Sequence, residues 1–191
     1  MAVRPLGKNI VFKFVDRVNS KGEFEREKSA GGIELLAGFD DSAKTPRWAN
    51  VIAVGPDVKN VKPGDQALLP ALRWTAGVSF GESKFWKTDE TQIVAIRKSE
   101  SSDLEVLNNY VLFEPIKRKS VGSAAGLIVP VADQSVTASG IISKLGTEVV
   151  AELSRGVKFY YDDALFTESF THQHQTHSFI KDELILAYEE H

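Results

Sequence analysis

The chain has 191 residues and a mass of 21.0 kDa, with 42% apolar and 26% charged residues. That composition excludes global disorder and fits one or two globular domains. The net charge of −3 argues against non-specific nucleic-acid binding, which needs a basic surface to displace phosphate counterions. The absence of cysteine removes disulfides, thiol catalysis, iron–sulfur clusters and cysteine zinc sites, and fits a reducing compartment. No run of about 18 apolar residues exists to span a membrane, and Met1 to Gly22 carries no apolar core of a secretory signal.

The apolar pattern is short and mostly of period two. Ile10, Phe12 and Phe14 alternate along one stretch, and Val51, Ala53 and Gly55 stand opposite Ile52 and Val54. Leu68-Leu69, Ile93 to Ile96, Val111 to Phe113, Ile141-Ile142 and Leu184 to Leu186 are further short runs, each bounded by Gly, Pro, Asp, Asn or Ser. Such runs, punctuated at intervals of roughly ten residues, predict an all-β chain of the sandwich or small-barrel kind. The helical candidates are brief: Ser101 to Asn108, with Leu104 and Leu107 facing inward, and Glu148 to Leu153. Neither is long enough to be stable alone.

Five features recur in the same order. Asn9-Ile10-Val11-Phe12 resembles Asn109-Tyr110-Val111-Leu112, and Ser29-Ala30-Gly31-Gly32-Ile33 resembles Ser123-Ala124-Ala125-Gly126-Leu127. Asn50 to Gly55 resembles Gly140 to Gly146, Val61-Lys62-Pro63-Gly64-Asp65 resembles Leu153 to Val157, and Ile93 to Ile96 resembles Ile185 to Tyr188. The same spacing separates Gly64 from Ala95 and Gly156 from Ala187. The expectation is two copies of one β-domain, residues 1–98 and 107–191, joined by a polar linker over 99–106.

The stretch from Val18 to Trp48 is long and mostly polar for a small β-domain, which marks it as functional or disordered. Within it, Gly31-Gly32 precede the apolar Ile33 and Leu35, which point the same way if extended, with Glu34 opposite. This reads as a docking peptide, or as an irregular hairpin whose Ile33 and Leu35 tuck into their own core.

These segments together resemble the GroES family of co-chaperonins. Arg4-Pro5-Leu6 matches that family's opening motif, and Ser29 to Leu35 matches its mobile loop with the hydrophobic tripeptide. Val51 to Gly55 matches its strand ending in Val-Gly, Val61 to Asp65 its Val-Lys-x-Gly-Asp turn, and Ile93 to Ile96 its closing strand. The resemblance covers residues 4–96 and is fainter in the second copy. It implies small β-barrel domains in a homo-oligomeric ring, with Gly31, Gly32, Ile33, Glu34 and Leu35 docking on a GroEL-type chaperonin that hydrolyses the ATP while an unfolded client is held in the cage. The co-chaperonin itself has no active site, cofactor or metal. Leu127, Ile128 and Val129, ending at Pro130, are the matching candidate for a second docking loop; a plain strand is the alternative. Glu34 stands where an aliphatic residue is usual, and only Pro56 to Asn60 separate Gly55 from Val61, so the roof hairpin of the bacterial ring is missing, as in phage-encoded relatives. Room for a larger client such as a capsid protein follows. The resemblance points to the cytoplasm of a bacterial or phage-infected cell. The alternative is a structural or ring-assembly β-module, for example of a virion, that kept the fold without chaperonin binding.

The physics of such a loop is coherent. Ordering a dozen residues costs about 1–2 kcal/mol each in backbone entropy, while burying two aliphatic side chains returns only a few kcal/mol. Single loops bind weakly, and a ring of them caps avidly yet releases.

Other constellations are weaker. His172, His174 and His177 put two imidazoles on one face of a strand, a beginning of a metal site, but the surrounding Thr171 to Thr176 is wholly polar and reads as an exposed hairpin tip. Asp40-Asp41, Asp162-Asp163 and Glu189-Glu190 are adjacent pairs that a strand splits between faces, which is no catalytic dyad. Phe80, Phe85 and Trp86 suit core or inter-subunit packing better than base stacking.

Overall fold

The computed structural model describes residues 4–16, 45–81, 83–116, 137–165 and 167–190. The chain is all-β, arranged as two antiparallel sheets. The first contains β1 (Asn9–Phe14), β2 (Arg47–Val54), β3 (Gln66–Leu69), β4 (Val78–Phe80), β5 (Ser83–Asp89), β6 (Ala95–Arg97) and β7 (Glu105–Val106), in the order β4-β5-β1-β2-β3-β6-β7. The second contains β8 (Tyr110–Pro115), β9 (Thr137–Leu145), β10 (Lys158–Asp162), β11 (Glu168–His172), β12 (Gln175–Lys181) and β13 (Ile185–Tyr188), in the order β11-β12-β8-β9-β10-β13. The barrels expected from the sequence are not closed. Their edge strands are short: β4 has three residues, all exposed, and β7 has two. Edges of that length pair only with their immediate neighbours.

Apart from β7, the two sheets follow one plan, matched to single hydrogen bonds. Ile10 pairs with Val54 and Val111 with Leu145, and both ladders slip by one residue at the next pair but one, between Val11 and Phe12 and between Leu112 and Phe113. Gly55 N–H donates to the Asn9 carbonyl and Gly146 N–H to that of Tyr110, at 2.9 and 2.8 Å. Gly64 and Gly156 share a positive φ, +94° and +88°, a conformation glycine adopts without steric penalty. They donate to the Val51 and Ile142 carbonyls. A Cβ on Gly55 would meet the Gly7 carbonyl oxygen at 2.1 Å, and one on Gly146 the Asn108 oxygen at 2.2 Å. These bonds place Ile10 with Val111, so the first repeat motif read from the sequence shifts by one residue: Asn9 stands with Tyr110, not Asn109.

Neither helical candidate forms. Leu104 and Leu107 do face inward, but over an extended segment that includes β7, which pairs with β6. The polar segment read as a linker thus ends in a strand of the first sheet. Glu148 to Leu153 forms turns, with Leu153 buried. Between Gly55 and Gln66 the chain makes turns and no strand, so no hairpin rises there.

Each sheet wraps its own core, the bulge adding twist. Ile10, Phe12, Phe14, Val51, Leu69, Trp86 and Ile93 are among those that fill the first; Val111, Phe113, Ile142, Phe159 and Ile180 are among those that fill the second. A third apolar cluster lies between the sheets, where Leu68, Val94, Ala95, Leu104 and Val106 meet Tyr110, Leu112, Phe170 and Phe179. Neighbouring residues on one strand serve different clusters: Leu69 its own core and Leu68 the seam, Phe113 its own core and Leu112 the seam. Strands buried on both faces read as continuous apolar runs.

Candidate functional site

The long connections leave and return at the same place in both sheets. In the first, Val15 N–H donates to the Trp48 carbonyl at 3.0 Å, and in the second Ile116 N–H donates to that of Ser139 at 2.9 Å. Asp16 and Arg47 close the first connection with an ion pair of 2.7 Å. Gly31, Gly32, Ile33, Glu34 and Leu35 lie on this connection, and Leu127, Ile128 and Val129 on its counterpart; all eight fall outside the described residues. What the structure places is the base of each loop.

The base of the first loop adjoins the seam between the sheets. Trp48, one residue after Arg47, carries the Arg97 guanidinium over its ring at 3.8 Å and meets Phe170 of the second sheet edge-on at 6.1 Å. Arg97 also donates through Nε to Gln66 Oε1 at 2.9 Å, and its Nη1 lies 3.3 Å from His172 Nδ1. Around this centre the sheets exchange polar contacts. Ala71 N–H donates to Glu168 Oε2 at 2.7 Å, Lys144 Nζ to the Leu104 carbonyl at 3.1 Å, and Gln173 Nε2 to the Ser101 carbonyl at 2.8 Å. Asn108, fully in the seam, donates from Nδ2 to the Glu90 and Ile93 carbonyls at 3.0 and 2.8 Å. Burial pushes the Tyr110 phenol up to about 12 and raises Glu168 as well, because a charged form loses hydration there.

Two of the three histidines, His172 and His177, belong to this seam, contrary to the exposed tip expected for all of them. Gln173 and His174 form the turn between β11 and β12 with φ of +48° and +66°, the two-residue hairpin geometry with both central residues left-handed. His174 is exposed, whereas His172 and His177 are buried, because the hairpin lies against the first sheet. Burial, and then Arg97, hold His172 below its ordinary value, against an opposing contribution from the Ser102 backbone. Burial, and then Lys144, do the same for His177, opposed by Glu114. His177 Nδ1 finds no hydrogen-bond partner among the described residues. Both rings are therefore neutral at pH 7. No group of three His, Asp or Glu that could hold a metal comes together among the described residues.

Elsewhere, Trp86 packs in the first core, and Phe80 stays exposed with its ring 6.0 Å from Phe85. Asp162 accepts from Ala164 N–H, and Glu189 binds Lys158 and Tyr160, so these acidic residues have local structural work. Asp40 and Asp41 lie outside the described residues. Sequence reasoning missed the seam, although the non-alternating runs Leu68-Leu69 and Val111 to Phe113 carried its signal. No helix among the described residues is long and apolar enough to cross a membrane. No protein-family model matches the chain, and no curated protein matches it.

Proposed function

We propose that the protein is a co-chaperonin of the GroES type, which caps a GroEL-type chaperonin through residues 31–35 and helps fold a client held in the cage. The observation that supports this reading is the repeated plan. Two sheets of one strand order each carry their longest connection at the same point, between the first and second strands of the plan. The first connection holds the Gly31-Gly32-Ile33-Glu34-Leu35 motif. On this reading Ile33 and Leu35 dock on the partner, the glycines permit the docked backbone, and the ordering cost keeps each contact releasable. The turn-only connection from Gly55 to Gln66 leaves such a ring without a roof hairpin, which suits a large client.

The test is co-elution of the full chain with a GroEL-type chaperonin, with and without ATP, beside Ile33→Asp/Leu35→Asp. ATP-dependent co-elution that the double variant loses supports the reading. Co-elution unchanged in the variant, or absent with both host and viral chaperonins, overturns it in favour of a structural β-module.

A further inference from the structure

The seam between the sheets closes on two imidazoles that have no place for a further proton. On the β11–β12 hairpin, Phe170 pairs with His177 and His172 with Gln175. Side chains alternate along a strand, so Phe170, His172 and His177 share one face. That face meets the first sheet. The His177 ring lies 5.6 Å from the Phe170 ring, which in turn meets Trp48 of β2 at 6.1 Å. His172 and His177 are each 7% exposed.

The hydrogen-bond geometry opposes charging either ring. His172 Nδ1 stands 3.3 Å from Arg97 Nη1. A guanidinium only donates, so this nitrogen accepts with its lone pair. A proton placed there sets the N–H groups of two cations against each other. A charged His177 ring carries an N–H on both nitrogens, and Nδ1 is buried with no hydrogen-bond partner among the described residues.

The nearest charges act in the same direction. Arg97 of β6, Lys144 of β9 and His177 of β12 disfavour a proton on His172, against the Ser102 backbone, and Lys144 disfavours one on His177, against Glu114 of β8. Glu100 acts on Arg97. Glu100 and Glu114 are exposed, so water and salt screen them. Elsewhere in the seam, Glu168 accepts from Ala71 N–H near Arg73, and burial raises its carboxyl. It therefore holds a proton more readily in the closed seam and opposes the histidines, but only as the pH enters the carboxylate range. Tyr110, at about 12, stays neutral throughout.

The fold has a place to part. Each sheet has its own core, and the sheets share the apolar cluster that includes Leu68, Leu112, Phe170 and Phe179. Leu107 stays with the first sheet, its N–H donating to the Val94 carbonyl at 2.9 Å. Asn109 stays with the second. Its carbonyl accepts from Asp182 N–H at 2.9 Å, and its Nδ2 donates to Asp182 Oδ1 at 3.1 Å. Asn108, between them, is held from both sides: its Nδ2 donates to first-sheet carbonyls, and its own carbonyl accepts from Glu148 N–H. One residue thus joins two bodies that each keep a core when they separate.

We propose that the seam is an acid-operated latch: protons on His172 and His177 part the two sheets about Asn108 and leave each sheet's own core intact. Near neutral pH the uncharged rings hold the seam shut and fix the base of the first long connection, at Trp48, against the second repeat. Opening releases it. The latch stands apart from chaperonin docking, and the Ile33→Asp/Leu35→Asp chain keeps it. A ring that titrates near about 6.5 when freed and stays neutral when buried favours the open form about tenfold more at pH 5.5 than at pH 7.5, and two rings at most about a hundredfold.

The test is cysteine protection in the full chain, which has no cysteine of its own. Val111 and Leu112 are neighbours on β8, both 0% exposed, the first in the second core and the second in the seam. Val111→Cys and Leu112→Cys are labelled with dithiodipyridine at pH 7.5, 6.5 and 5.5. Each rate is divided by that of the same chain in urea at the same pH, which removes the titration of the thiol itself. Protection at 112 is expected to fall by about ten- to a hundredfold from pH 7.5 to 5.5, with 111 still at least about tenfold better protected at pH 5.5. In the His172→Gln/His177→Gln background the fall at 112 disappears. Leu68→Cys beside Leu69→Cys repeats the comparison from the first sheet. Without any cysteine, the emission of Trp48, taken as the difference from Trp48→Phe, is expected to shift to the red over the same range and to return at pH 7.5. The proposal is overturned by protection at 112 and 68 that ignores pH, by equal protection of core and seam sites at pH 5.5, by the same fall in the glutamine background, or by Trp48 emission that stays constant.

Discussion

Leu107 belongs to the second repeat by sequence and to the first core by position. Truncating it to alanine removes three carbons from a site with no solvent exposure. At about 0.8 kcal/mol per carbon the transfer loss is about 2.4 kcal/mol, and the cavity left in a sheet-wrapped core brings the expected cost into the range of about 2–5 kcal/mol. Leu6 occupies the same turn in the first repeat but lies in solvent, so Leu6→Ala in the dilute single chain costs under about 0.5 kcal/mol. Urea unfolding followed by tryptophan emission reads the difference directly, because Trp48, Trp74 and Trp86 all fall within the first sheet's span of sequence. With a slope of about 2.5 kcal/mol per molar urea, Leu107→Ala is expected to lower the midpoint by about 1–2 M and Leu6→Ala by little. Equal small shifts in both variants would refute the claim that Leu107 completes the first core.

Further outcomes follow from the seam. His172 and His177 are held below 6.5 in the fold, so the unfolded chain binds more protons once pH drops below that value. Stability is full above about pH 6.5 and falls below it, by at most about 1.4 kcal/mol per pH unit for each ring. His172→Gln/His177→Gln should flatten thermal melts between pH 6.5 and 5, and an unchanged pH slope would count against the buried neutral pair. Asn108→Gly keeps the positive φ but deletes both side-chain contacts; the Glu90 carbonyl keeps the Ile93 N–H, while the Ile93 carbonyl loses this donor, for an expected loss of about 1–3 kcal/mol by denaturant titration. Glu168→Gln retains an acceptor for Ala71 N–H and should be tolerated at pH 7, whereas Glu168→Ala should cost about 1–3 kcal/mol. A fragment of residues 1–98 lacks β7 and Leu107 and exposes Val94, so it should melt well below a fragment of residues 1–109; equal melting would place the boundary at 98 after all.

The all-β class and the internal repeat were both legible in the chain, because a strand writes its period into the residues and a repeated plan repeats its glycines. Gly55 and Gly146 sit under a carbonyl oxygen that leaves no room for a Cβ, and Gly64 and Gly156 turn through a positive φ that glycine adopts without strain, so the residues betray the fold. The motif of Gly31 to Leu35 is also a local run of sequence, but it lies outside the described residues. The seam was not legible. Whether the second face of Leu68, Val94 or Leu112 meets solvent or another sheet is decided by atoms distant in sequence, and so is the fate of a histidine in a polar hairpin. The strand pairing that carries β7 across to β6, and so puts Leu107 in a core built by the other repeat, is a long-range contact that no local pattern encodes. Only the tertiary structure could show that Leu107 is covered and that Leu6 in the same turn is not.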